Sequence, residues 1–406
     1  MNAADPLGMD EPTGPLSGIK VVDLTINVLG PVATQILGDM GADVIKVESP
    51  EGDQNRQTGV RQHANMGALY LSMNRNKRSI ALDLKKPEAK EALMRLVDGA
   101  DVFVHSMRPQ AAERLGVAYA DIAQCNPRIV YGCAPGYRSD GPWRNRPAFD
   151  DVIQGESGIV DMNRQALGEQ RYLPTIIADK LCGHLLASAI GMALFHRERT
   201  GEGQEVQVPM FENMVAFNLI EHMWMGSFDD SKGEFGYVRL LNEYRRPYAT
   251  LDGHVCLMAS SDDQWKRLLA ALGRPEVAKD ERYAQLEQRS RHFAELYSIV
   301  ASEVAKRTTA QARELLDRAD IPNGPVNRLT DLPNDPYLAE TGFFKHFMHP
   351  TEGPMMTTSI PVQFSRTPGN LRRPPPNLGE HTRSILEKLG YGEKDIAAIT
   401  ASTRGA

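Results

Sequence analysis

The chain has 406 residues, with 46 Lys and Arg against 52 Asp and Glu, for a formal charge of −6. Hydrophobic residues make up 41% and charged residues 24%, an ordinary globular usage that excludes global disorder. The mild acid excess gives no bulk electrostatic case for nucleic acid or an anionic lipid surface, and the length predicts roughly two to three domains.

Residues 1–15 carry acids rather than a basic segment and have no apolar run, so they read as a loose leader and not a secretory signal. Residues 19–24 form a β-rich run. Pro31 opens a helical pattern to Met40, and Gly41 stops it. Residues 43–47 read as a second strand. Strand, helix and strand in this spacing make a βαβ unit, hence a parallel sheet. The rhythm continues with strands at 78–83, 101–105, 129–132 and 205–208, and with a helix from Lys86 to Gly99. A long helix over 179–199 is apolar nearly all round, so it is expected to be buried or to lie in a subunit interface. His184 and Ser188 interrupt its apolar run, and no membrane span is expected. From Trp224 the character changes. Residues 225–237 are Gly- and Asp-rich and read as a linker or loop, and 246–255 as strand, Asp-Gly turn and strand. Helices are expected at 263–272, 290–306 and 309–318. From Asn327 the tail is proline-rich, extended at 372–376, with a last helix at 380–390.

Four cysteines, none spaced CxxC, argue against a zinc ribbon, a redox dithiol and a disulfide framework, and point to a reducing compartment. After the first strand, residues 25–31 (TINVLGP) hold a single glycine, so no dinucleotide fingerprint is present, and no GxxxxGK[ST] occurs. Residues 155–158 (GESG) fall one residue short of GxSxG. His346 and His349 have no carboxylate or cysteine companion nearby, so no metal is expected. Asp179 stands at the opening of the long helix. Its local reading is an N-cap. The same position would suit chemistry, because the helix N-terminus favours an ionised carboxylate, which in a dry pocket can attack an activated acyl carbon.

Six segments carry a family likeness in order: 15–24 (PLSGIKVVDL), 41–48 (GADVIKVE), 76–83 (NKRSIALD), 199–204 (RTGEGQ), 321–326 (IPNGPV) and 378–382 (LGEHT). With them the chain resembles the class III CoA-transferases, the group of formyl-CoA transferase and carnitine CoA-transferase, whose superfamily includes α-methylacyl-CoA racemase. The resemblance runs from Leu16 to about residue 400. It implies an α/β fold with a large Rossmann-like parallel-sheet domain, discontinuous in sequence (16–224 and 331–406), an inserted α+β domain (225–330) and an interlocked homodimer. The implied site lies between the domains, with loops from the partner chain. CoA and a small carboxylic acid would be substrates, with no permanent cofactor and a cytoplasmic setting.

Under the resemblance, Asp179 becomes the nucleophile that forms an aspartyl mixed anhydride and then an aspartyl-CoA thioester. The implied CoA and substrate positions are Asn27, Val28, Leu29, Ser49, Leu82, Lys85, Ser106, Met107, Arg108, Arg114, Arg146, Phe149 and Asp150. Val28 replaces a glutamine of formyl-CoA transferase and Ser49 an arginine, so the acyl group is expected to differ from formate or oxalate. Lys85 and Arg114 match phosphate-side cations, and guanidinium suits phosphate because it donates two parallel hydrogen bonds. Read without the family, both are solvated surface charges. Arg146 neighbours Pro147, which stands at another phosphate-side position. Asp150 falls on a carboxylate that would assist the acyl step. Phe149 stands where the racemase has a histidine base and cannot accept a proton, which places transferase above racemase and above a non-catalytic CoA binder. Glu243, Arg245 and Arg246, in the loop 225–245, are candidates for shaping an acceptor pocket.

Overall fold

The computed structural model describes residues 11–228 and 233–401. The chain divides into two compact units. One comprises the residues up to Ser157, Pro174–Val215 and Pro336 onward; the other comprises Gly158–Leu173 and Ala216–Asp335.

The first unit is built on six strands: β1 (Lys20–Asp23), β2 (Asp43–Glu48), β3 (Lys77–Ala81), β4 (Val102–His105), β5 (Val130–Cys133) and β6 (Gln204–Gln207). They lie in the order β3-β2-β1-β4-β5-β6, and every pairing is parallel, with Val22 opposite Ile45 on one side and Phe103 on the other. The central strands are buried on both faces, which explains their nearly unbroken valine runs. Helices α1 (Leu29–Asp39), α2 (Pro87–Asp98), α3 (Pro109–Leu115), α4 (Asp150–Glu156) and α5 (Ile177–Thr200) belong to this unit. Helices α1 and α5 pack on each other and on the sheet, while α2 and the C-terminal helices Thr382–Lys388 and Glu393–Thr400 share a second core with Val22, Ile80, Phe103, Ile385 and Ile396.

Helix α1 starts two residues earlier than the proline signal placed it, so Pro31 is its third residue. The first turn of a helix has no internal partners for its N–H groups, and proline is tolerated there. Gly41 ends the helix at φ +104. Helix α5 is long and apolar enough, by length and composition, to cross a bilayer. Here Cys182, Leu186, Ile190 and Ala193 bury one face within the unit, and Leu185, Met192 and Phe195 line an exposed apolar one. The leader reading is corrected for residues 11–15. Thr13 Oγ1 donates to Pro368 O at 2.6 Å and Asn370 Nδ2 donates to Glu11 O at 3.2 Å, tying this segment to the first unit. Residues 1–10 lie outside the described residues.

The tail carries more structure than its prolines suggested. Strands Phe344–His349 and Gly353–Thr358 form an antiparallel hairpin, closed by Gly353 at φ +72. The extended segment behind it is anchored where Arg372 Nη2 donates to Gly38 O (2.8 Å) and Tyr70 Oη to Pro376 O (3.0 Å).

The second unit holds a small antiparallel sheet of Tyr248–Ala249, His254–Leu257 and Asn323–Pro325. Helices Asp262–Ala271 and Thr309–Arg318 begin in capping boxes, Ser261 with Gln264 and Thr308 with Gln311. With helix Phe293–Val304 they enclose a core of Val255, Trp265, Leu268, Leu296, Val300 and Leu316. Helix Ile159–Leu167, which the sequence reading left in the large domain, groups with this unit; Gly158, at φ +95, turns the chain just before it. Of the expected linker 225–237, residues 229–232 lie outside the described residues, and Trp224–Ser227 forms a short 3-10 turn.

Gly183 of α5 lets the first turn of α1 approach closely: a Cβ there would stand 2.7 Å from Leu29 O. Gly183→Val is therefore expected to lower stability by about 1–3 kcal/mol, read as a drop in the urea midpoint. An unchanged midpoint would contradict the close approach.

Candidate active site

The strand order reverses between β1 and β4. In open parallel sheets, ligands bind outside the carboxyl ends of the strands at this point, because the loops there diverge. The loop after β1 holds Asn27 at φ +64, Val28 as the N-cap of α1 and Leu29 as its first residue. The loop after β4 holds Ser106, Met107 and Arg108. Ile26 N–H donates to Ser106 Oγ at 3.4 Å and joins the two loops. Val28 and Leu29 turn their side chains inward; Ile26, which the sequence reading passed over, is 43% exposed. Beneath the second loop, His105 Nδ1 accepts from Met107 N–H (3.0 Å) and its Nε2 meets Tyr131 Oη (2.6 Å), which donates to Val117 O (2.9 Å). Burial holds His105 down at about 4, so it is neutral and acts as a fixed bracket.

Helix α5 leads directly into β6, so its N-terminus lies toward the carboxyl edge of the sheet. Asp179 and Gly183 are one turn apart on one face. Since Gly183 lies against Leu29 O, Asp179 stands beside the start of α1. Asp179 is the third residue of α5 and caps nothing, which corrects the N-cap reading. The N-cap is Ile176, which has no acceptor to offer. The cap comes from α4: buried Asp150 accepts through Oδ1 from the N–H groups of Ala178 (2.8 Å) and Asp179 (3.1 Å), and through Oδ2 from Gln154 Nε2 (2.5 Å). The Asp179 carboxyl is thereby left out of the capping. It is half-buried. Burial first, and the nearby Asp150 charge second, push its pKa up to about 7, so the dipole-favoured ionisation expected from sequence is outweighed. Cys182, one turn on, is pushed up to about 12 by burial and the two carboxylates, which keeps it a thiol.

The remaining positions fall in several elements. Ser49 is exposed in the turn after β2, where its carbonyl accepts from Gly52 N–H (2.9 Å). Leu82 is buried in the core under α2. Lys85 is exposed just before α2, and Arg114 is exposed in the last turn of α3. Lys90, which the sequence reading missed, bridges these elements: it lies in the first turn of α2, and its ammonium lies against Gly116 at the end of α3. Arg108 donates to Asn145 O at 3.0 Å. Arg146 is committed, paired with Glu156 at 2.7 Å and lying over the Trp143 ring. Tyr137 donates to the other Glu156 oxygen (2.8 Å), and burial with that carboxylate raises its pKa to about 12. Phe149 is exposed at the N-cap of α4. In the second unit, Glu243, Arg245 and Arg246 are exposed. Among the described residues, no group of three His, Cys, Asp or Glu side chains is placed to hold a metal ion.

The profile of CoA-transferase family III matches residues 16–382. This chain belongs to CoA-transferase family III. The succinate–glutarate CoA-transferase of Agrobacterium fabrum is 32% identical over 388 residues, covering 92% of this chain and 96% of that protein. The formyl-CoA:oxalate CoA-transferase of Escherichia coli is 29% identical over 413 residues, covering 95% and 98%. A crystallised aspartate-to-alanine variant of a Mycobacterium tuberculosis protein superposes with a TM-score of 0.81 at 30% identity, covering 92% of this chain and 99% of that one.

For this family III chain the Asp179 environment has a cost in stability. Its folded pKa, about 7, lies above the ordinary 3.8, so between these values the fold holds a proton that the unfolded chain releases. Stability is therefore lost as pH rises through that window. Asp179→Asn, uncharged throughout, is expected to gain about 1–4 kcal/mol at pH 8 and little at pH 4. Urea titrations at the two pH values check this; an equal effect at both would contradict it.

Proposed function

We propose that this enzyme moves CoA from an acyl-CoA donor to a free carboxylic acid, with Asp179 as nucleophile. The observation that carries the reading is the Asp179 carboxyl, uncommitted to capping, beside the loops where the strand order reverses. In the first step an Asp179 oxygen attacks the thioester carbonyl, the C–S bond breaks, and CoA leaves as thiolate with a mixed anhydride behind it. The thiolate then attacks the aspartyl carbonyl. The anhydride C–O bond breaks, the donor acid leaves as carboxylate, and an aspartyl-CoA thioester remains. The acceptor carboxylate runs the same two exchanges in reverse. Covalent catalysis conserves the thioester's free energy, which hydrolysis would lose.

Lys85, Lys90 and Arg114 are the cations offered to CoA phosphates, and the loops 26–29 and 106–108 flank the acyl end. Ile26 gives the first of these loops an exposed apolar side chain, which supports an acyl group other than formate or oxalate. The exposed apolar face of α5 (Leu185, Met192, Phe195) supports the homodimer reading, with interlocked chains. Phe149 cannot exchange a substrate proton, and no observation favours a racemase. A cytoplasmic setting fits a chain with four free cysteines.

Asp179→Ala is expected to abolish transfer. Hydroxylamine or mass spectrometry should trap an adduct on the peptide containing Asp179 when acyl-CoA donors are screened against the unaltered enzyme. Turnover with no adduct on that peptide would sink the mechanism. The rate of adduct formation should also rise with pH through about 7, because the ionised carboxylate attacks. Asp150→Asn keeps an acceptor for the α5 amides but removes a charge, so that midpoint should move lower; a midpoint unmoved or higher would refute the Asp150 contribution.

A further inference from the structure

The β1–α1 loop is gripped from below. Asn27 has φ +64, a left-handed geometry that among residues with a side chain asparagine adopts most readily. Both of its backbone groups are bound by one short segment: its N–H donates to Asp53 Oδ1 at 3.2 Å, and its carbonyl accepts from Asn55 Nδ2 at 2.6 Å. Two residues earlier, Thr25 O accepts from Lys46 Nζ at 2.7 Å, and the same ammonium pairs with Asp53 Oδ2 at 3.0 Å. The grip is rooted deeper by Asp53 N–H, which donates to Glu48 Oε1 (3.1 Å), while Glu48 pairs with Arg56 (2.7 Å). Lys46 and Asp53 side chains are fully buried.

Burying charge in this way is an inefficient route to stability, since well-packed apolar residues of similar volume stabilise a core equally well or better. What the ions supply here is directed hydrogen bonds to two backbone groups of one loop, and the Asn55 amide supplies a third. That loop opens α1, whose Leu29 carbonyl lies against Gly183, one turn from Asp179. We propose that Asp53 and Asn55 are positioning residues for the transfer reaction: they lock the Asn27 turn and so fix the β1–α1 loop beside Asp179. The proposal rests on Asp179 being the nucleophile. It follows because a reacting geometry misplaced by about 1 Å can cost on the order of a hundredfold in rate.

The test uses the full-length protein and the acyl-CoA donor that labels Asp179 most rapidly. Asn55→Ala deletes the bond to the Asn27 carbonyl and leaves the Lys46–Asp53 pair in place. Asp53→Asn keeps an acceptor for Asn27 N–H and removes the charge opposite Lys46. Asn55→Ala should melt close to the parent and bind CoA with the parent's affinity by calorimetry, while the single-turnover rate of Asp179 labelling falls at least about tenfold. Asp53→Asn, if it folds, should lose labelling rate in the same way. A labelling rate within about twofold of the parent in a folded Asn55→Ala protein overturns the positioning role. A parallel loss of CoA affinity and melting temperature, with the labelling rate at saturation unchanged, also overturns it. If no donor labels Asp179 in the unaltered enzyme, the nucleophile reading fails first and the positioning role falls with it; normal labelling there with an unaffected variant removes the positioning role alone.

Discussion

The start of helix α5 depends on a carboxylate borrowed from another helix. Two amide groups, of Ala178 and Asp179, need an acceptor, and the residue at the capping position is an isoleucine. Asp150 meets that need from α4. The consequence is a division of labour between two acids close in space. One is fully engaged with hydrogen bonds and stays buried. The other is relieved of capping and is left with a raised proton affinity, by its burial first and by the company of the first acid second. Pairs of carboxyl groups whose surroundings push them apart are a recurring way to assign separate roles to chemically identical side chains.

The rest of the first unit is organised around holding the sheet's carboxyl edge rigid on both sides of the strand-order reversal. Below the loop after β1 lies an ionic layer of Lys46, Asp53, Glu48, Arg56, Asp23 and Lys77. Lys77, crowded by burial, is lowered to about 8 and keeps its place through Asp23, Asn74 and the Pro31 carbonyl. Below the loop after β4 lies a neutral chain of His105 and Tyr131. Charged and uncharged networks serve the same end here: each presents fixed donors or acceptors to a backbone that has no regular partner of its own.

Much of this architecture was legible in the residues. The βαβ rhythm followed from valine runs and from the Gly41 stop, and the six segments of family likeness pointed to the family that the whole-chain match shows. The network was not legible. Lys46 and Lys77 sit in stretches read only for their strands and their family likeness, Asp53 in one that carries no motif, and only the parallel pairing of β1, β2 and β3 closes them over one another. The Asp150 cap spans 28 residues, so no local capping pattern could show it. Lys90 was missed because its relation to Gly116 exists only in the packed unit. The hairpin Phe344–His349 and Gly353–Thr358 was hidden by the prolines around it, which mark the ends of its strands. The expectation of a helix apolar all round was right in composition, but α5 shows one face to the core and leaves the other uncovered.

On the proposed mechanism, the elevated proton affinity of Asp179 also bears on which way the mixed anhydride would break. An anhydride between two carboxylic acids expels the weaker base more readily. Ordinary carboxylic acids ionise near pH 4, whereas Asp179 does so near 7. Thiolate attack at the aspartyl carbonyl, which releases the substrate acid, is therefore favoured over attack at the substrate carbonyl, which returns the starting thioester. On the proposed mechanism this bias operates from both the donor and the acceptor side. It makes the protein-bound thioester a reservoir in which CoA waits between one acid and the next.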